Sequence, residues 1–139
     1  MPTVHGVLET SLYVSDLDRS VAFYRDVLGF RLIDDAYFCG DRGAAFQVGS
    51  GPSVLLIFRA LVTRKRRTLP AHGTSGAGHA AFRVEPREID AWREHLRRNA
   101  VPIEQEFTFG SNAPALYFRD PDGNSLEIAV ASIWNLKAG

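Results

Sequence analysis

The apolar positions of this chain switch from strand spacing to helix spacing and back, and they do so twice. Segment 6–14 reads as a strand rich in Leu, Thr, Tyr and Val. Ser15 and Asp16 can cap the helix that follows, in which Leu17, Val21, Tyr24, Val27 and Leu28 form one apolar stripe and Gly29 is placed to end it. Strands are predicted over about 31–38, 43–49 and 53–60, divided by Gly40 to Gly43 and by Gly49-Ser50-Gly51-Pro52. The second half repeats the order. A strand at 78–84 leads to a helix over about 86–99, with Pro86 at its start and Ile89, Trp92 and Leu96 on one face. Strands follow at about 103–109 and 114–119. Asp120-Pro121-Asp122-Gly123-Asn124 is a strong turn signal, because Pro fixes φ and Gly supplies positive φ, and Ser125 to Val130 is the last strand. The pattern predicts an α+β chain of two βαβββ modules, 6–60 and 78–131, within one domain spanning 1–139; segment 61–77 reads as a linker or lid.

The two modules carry related heptamers. Leu8-Glu9-Thr10-Ser11-Leu12-Tyr13-Val14 aligns with Gly78-His79-Ala80-Ala81-Phe82-Arg83-Val84, and each has a metal-ligand residue type at its second position. Glu127, in Leu126-Glu127-Ile128-Ala129-Val130, is a third. Strand side chains alternate between faces. By that parity Leu8, Thr10, Leu12 and Val14 share one face of the first strand, leaving Glu9, Ser11 and Tyr13 opposite. Ala80, Phe82 and Val84, and likewise Leu126, Ile128 and Val130, face the helix side, leaving His79, Arg83 and Glu127 away from it. One imidazole and two carboxylates on such faces suit a divalent cation, since nitrogen and oxygen donors fit Zn, Mn, Ni, Co or Fe(II). The plainer alternatives are a hydrogen-bonded structural His and surface or salt-bridged Glu residues.

Other candidates are weaker. His72, in Leu69-Pro70-Ala71-His72-Gly73, is a lid residue, an acid–base group or a plain surface His; His5 lies near the terminus and His95 reads as an exposed helix residue. Tyr13 and Arg83 can orient a substrate, fill space or pair with the glutamates. Tyr37, Phe38, Phe46, Phe58, Phe107, Phe109 and Trp134 could line an aromatic cleft, though most are equally explained as core. The run Thr63 to Thr68 holds several basic residues and reads as a solvated loop or as a grip on an anionic substrate.

Composition narrows the classes. Sixteen basic and sixteen acidic residues cancel, so no global field argues for nucleic acid or a membrane surface. Cys39 is alone, which excludes an intramolecular disulfide and a Cys-based zinc site. No apolar run reaches about 18 residues and the start of the chain has no leader pattern, so a cytoplasmic location is the default expectation.

Leu12-Tyr13-Val14-Ser15-Asp16-Leu17-Asp18-Arg19-Ser20, then Phe23-Tyr24 and Val27-Leu28-Gly29-Phe30, resembles the first-module signature of the vicinal oxygen chelate superfamily, the glyoxalase, bleomycin resistance and extradiol dioxygenase group. Gly78-His79-Ala80-Ala81-Phe82 and Phe118-Arg119-Asp120-Pro121-Asp122-Gly123-Asn124-Ser125-Leu126-Glu127 look like its second-module signatures, so the resemblance covers roughly 6–131. It implies paired βαβββ modules in a half-open barrel around a divalent metal, with Glu9, His79 and Glu127 at the ligand positions, a small-molecule substrate and often a homodimer.

Two departures from the family pattern matter. Position 9 commonly carries His or Gln, and here it is Glu. The repeat partner of Glu127 is Leu56, where lyases and epimerases of the family often carry a fourth ligand, and an alkyl chain cannot ligate. The chemistry implied is Lewis-acid activation of a substrate chelated through two adjacent oxygens, with Glu9 or Glu127 as general base and Val54, Leu56 and Phe58 excluding water. The alternative is a metal-free, bleomycin-resistance-like module that sequesters an aromatic or antibiotic ligand.

Overall fold

The computed structural model describes residues 1–33, 43–65, 67 and 69–136. They divide into two compact units, Met1–Gly76 and Ala77–Gly139, and each is described by itself. The first unit contains β1 (Glu9–Tyr13), α1 (Leu17–Ala22, continued by a π-turn over Phe23–Val27), β2 (Arg31–Leu32), β3 (Gly43–Gln47), β4 (Val54–Phe58) and α2 (Ala60–Thr63). The second contains β5 (His79–Arg83), a 3₁₀ turn over Pro86–Glu88 running into α3 (Ile89–Arg98), β6 (Ile103–Phe109), β7 (Ala113–Arg119), β8 (Ser125–Ala129) and a 3₁₀ turn over Ala131–Trp134.

The predicted βαβββ order therefore occurs twice, and the sheets repeat it in space. The first has strand order β1-β4-β3-β2 and the second β5-β8-β7-β6. In each, the first and last strands of the module pair in parallel and the remaining pairs are antiparallel.

Local chemistry explains the elements. Asp16 caps α1 by accepting from the Arg19 amide at 3.0 Å. The π-turn closes with Leu28 N–H donating to Phe23 O, and the sequence neighbours Phe23 and Tyr24 are both buried, edge to face at 5.4 Å. Gly29, at φ +69°, then ends the helix as expected. Glu85 and Glu88 form a capping box that starts the second helical segment. Ile89 and Leu96 bury the inner stripe of α3, while Leu116, Phe118, Leu126 and Ile128 are the buried alternating positions of β7 and β8.

Several expectations need correction. The first strand is shorter than 6–14, and Leu8 and Thr10 are not packed inward: Leu8 precedes β1 and is 63% exposed. Parity assigns a face but does not supply a partner to cover it. The segment read as a linker contains α2 and, up to Gly76, belongs to the first unit. Phe107 and Trp134 are exposed rather than core. The predicted strand at 31–38 is described only as Arg31–Leu32 before the described residues stop, and Tyr37, Phe38, Cys39, Arg66 and Thr68 lie outside them.

The Asp120–Asn124 turn fixes the start of the second sheet. Asp120 Oδ1 accepts from the amides of Asp122 and Asn124, and Asn124 Nδ2 donates to Asp120 Oδ2 at 2.8 Å. Asn124 Oδ1 accepts from Gly78 N–H at 2.8 Å, which ties the turn to the residue preceding β5. Asn124 is 2% exposed, so its loss strands several buried polar groups. Asn124→Ala is expected to destabilise the chain by about 1–3 kcal/mol in chemical denaturation; a change within about 0.5 kcal/mol, the range of ordinary surface substitutions, would show that the turn holds nothing in place.

Candidate metal centre

Parallel pairing of β5 with β8 sets His79 opposite Ser125 and Ala81 opposite Glu127. His79 Nδ1 lies 3.0 Å from the Ser125 carbonyl oxygen. A carbonyl only accepts, so Nδ1 carries the hydrogen and Nε2 is the ring atom available for a ligand. Nε2 faces Glu127 Oε2 at 3.4 Å. A nitrogen lone pair and a carboxylate oxygen at that separation need a cation between them, either a proton or a metal ion. Two donors of one tetrahedral ion, each about 2.0–2.1 Å from it, stand roughly 3.4 Å apart.

Glu127 is 5% exposed, and its Oε1 is buried with no hydrogen-bond partner among the described residues. An orphaned carboxylate oxygen costs on the order of 1–3 kcal/mol, which coordination would relieve. These residues fit a divalent cation. Among the described residues no group of three His, Cys, Asp or Glu stands together, so the structure shows the pair without a third such donor.

Tyr117, in β7, is the residue that sequence reasoning missed. It is the cross-strand partner of Glu127, which sets its hydroxyl on the same strand face as that carboxylate. Burial first, then the neighbouring Glu127 carboxylate, push the phenol above its ordinary value of about 10. Only the register connects the two, and register is not visible in either segment alone. Arg83, the other pocket-side candidate of β5, is exposed and makes no ion pair among the described residues.

The first unit holds the remaining candidates. Glu9 is exposed at the start of β1, beside Val54. Leu56 and Phe58 lie with Ala45 in a buried apolar cluster against which Tyr13 and Val54 pack. His72 joins them, with Nδ1 at 2.5 Å from the Tyr13 hydroxyl and its ring edge-on to Phe58 at 5.3 Å. The structure thus brings together His79 with Glu127, and Tyr13 with Phe58 and His72. His5 and His95 are exposed, and so are Arg64, Lys65 and Arg67 of the basic run, with Arg64 donating to Ser75.

A family model of the Glyoxalase/Bleomycin resistance protein/Dioxygenase superfamily matches residues 6–128. The chain belongs to this superfamily. A lactoylglutathione lyase from Agrobacterium tumefaciens has a similar crystal structure, with TM-score 0.87 and 30% identity over 97% of this chain and 100% of that one. The lactoylglutathione lyase of Haemophilus influenzae is 31% identical over 87% of this chain and 89% of its own length. The metallothiol transferase FosB of Shouchella clausii is 26% identical over 94% and 83%. A lyase and a transferase stand among these superfamily relatives, so membership alone selects no reaction.

The raised Tyr117 pKa has a pH signature. A phenol that holds its proton more tightly when folded contributes stability that is complete below about pH 10 and is lost as pH rises through the folded value. In ¹³C-tyrosine NMR titration of chelator-treated protein, the resonance removed by Tyr117→Phe is expected to titrate above the ordinary phenol value. Glu127→Gln should bring it part of the way back. A Tyr117 resonance at the ordinary value in the unmodified chain would contradict this geometry.

Proposed function

We propose that this superfamily member is a divalent-metal-dependent enzyme acting on an oxygenated small molecule, with Glu9, His79 and Glu127 as the metal's protein ligands. The observation that carries the proposal is the His79–Glu127 pair: a tautomer-fixed Nε2 facing a buried carboxylate whose second oxygen has no partner among the described residues. Mn, Ni, Zn, Co or Fe(II) suits a nitrogen-and-oxygen donor set. When bound, the metal supplies Lewis acidity, which lowers the cost of negative charge on a substrate oxygen.

The chain's own residues have separate tasks in this reading. Ser125 holds the imidazole in the tautomer that presents Nε2. Tyr117, the cross-strand partner of Glu127, provides a phenol hydroxyl beside that carboxylate. Glu9, exposed and with no ion pair among the described residues, would leave the metal to exchange a proton with substrate as general base. Arg83, on the same strand face as His79, is a cation available to an anionic substrate group.

A metal-free sequestering module is the rival reading, and the apolar cluster of Ala45, Leu56 and Phe58 favours it. Elemental analysis separates the two. After supplementation with Mn, Ni, Zn, Co or Fe(II) and gel filtration, the proposal expects one equivalent of metal per chain. His79→Ala should weaken metal binding at least tenfold in Kd, by about 1.4 kcal/mol or more, while cooperative unfolding is retained. Metal well below one equivalent in the unmodified chain selects the sequestering module instead.

A further inference from the structure

The first sheet has two unlike faces. Ala44, Phe46, Leu55 and Ile57 on one face are at most 2% exposed; on the other, Ala45 and Leu56 keep 8% each, Tyr13 and Val54 are half-buried, and Phe58 is 1% exposed. Register arranges this second face in rows. Glu9 lies beside Val54 and Gln47, Ser11 beside Leu56 and Ala45, and Tyr13 beside Phe58 and Gly43. The middle row is low, because Ser11 and Ala45 are small, and Leu56 and Ala45 make it largely apolar. In the last row the Phe58 ring lies over Gly43, where a Cβ would come within 2.5 Å of it.

After α2 the chain returns as a strap that closes this last row. His72 N–H donates to Thr63 O, Arg64 Nη2 donates to Ser75 Oγ, and Gly73, at φ +148°, packs against Arg64 and the Ala60 carbonyl. These ties lay the His72 ring edge-on to Phe58 and tilted at 55° to Tyr13, with Nδ1 hydrogen-bonded to the Tyr13 hydroxyl. Three rings therefore stand at one end of the face and Glu9 at the other.

Distance decides what the rings can do. Four residue steps take β1 from Glu9 to Tyr13, about 13 Å along the strand. Proton transfer needs heavy atoms within about 3 Å. Tyr13 and His72 thus do not exchange protons with a group held at Glu9; they meet the far end of whatever lies along the face. We infer that the wall formed by Tyr13 and His72 over the buried Phe58 ring is a specificity element and that the substrate is elongated. Its oxygen-bearing head lies at Glu9, an apolar stretch passes over Leu56 and Ala45, and an aromatic ring meets the wall. Edge-to-face ring contact adds about 0.5–1.5 kcal/mol beyond area burial, which favours an aromatic end over an alkyl one. The inference rests on Glu9 as a metal ligand for its head end and on the first unit alone for the wall.

Three probes separate these parts by calorimetry on the full chain: lactate for the head, 2-hydroxy-4-phenylbutanoate for head and ring joined, and phenol for the ring. With Mn(II)-loaded protein, 2-hydroxy-4-phenylbutanoate is expected to bind about tenfold more tightly than lactate. His72→Ala, which alters the strap and leaves the sheet intact, should remove most of that difference and leave lactate unchanged. Phenol should bind the metal-free chain and bind His72→Ala more weakly. Equal affinity for lactate and the phenyl compound, or an equal loss of both in His72→Ala, overturns the wall. Absence of phenol binding to the unmodified chain overturns it whatever the metal does. Phenol binding without lactate binding upholds the wall and overturns the metal reading at Glu9.

Discussion

Parallel pairing between β5 and β8 is the constraint on which the candidate centre depends. The two strands begin 46 residues apart, at His79 and Ser125, and each brings one donor. A parallel ladder needs a crossover, supplied here by α3 and the β6–β7 hairpin. Its start is pinned by Asn124, which bonds both Asp120 and the amide preceding β5. The same register lets the Ser125 carbonyl fix the His79 tautomer and sets Tyr117 beside Glu127. A slip of one residue would turn every one of these side chains to the opposite face.

The two modules share a topology and divide the chemistry. At matching places, Glu127 and its cross-strand neighbour Tyr117 in the second sheet correspond to Leu56 and Ala45 in the first. Tyr13 corresponds to Arg83. The second module thus presents a polar face with an unsatisfied carboxylate oxygen, and the first presents a low apolar face closed at one end by three rings. Superfamily membership does not predict this division; it follows from which residues occupy the repeated positions.

Much of the fold was legible because its signals are local. The Asp16 cap, Gly29 at positive φ and the Asp120–Asn124 turn each act within a few residues, and all are found as expected. The repeat supplied the topology, and parity placed His79 and Glu127 on the faces where they meet. What escaped was non-local. Tyr117 is coupled to Glu127 only through register, and His72 reaches Tyr13 only because the strap folds back across 59 residues of sequence separation. Leu8 shows the opposite failure: its residue type and parity both argued for burial, yet nothing in its own unit covers it. The consecutive aromatics Phe23 and Tyr24 gave no sign of the π-turn that accommodates them.

The central claim is that His79 presents an unprotonated Nε2 to a cation shared with Glu127. Long-range ¹H–¹⁵N NMR of imidazole-labelled protein titrated with Zn(II) tests it directly. The account predicts that metal-free His79, once neutral, holds its hydrogen on Nδ1, and that Zn(II) then shifts Nε2 far more than Nδ1, with the effect abolished in Glu127→Ala. A hydrogen on Nε2 in the neutral ring, or a His79 spectrum that Zn(II) leaves unchanged, would contradict it.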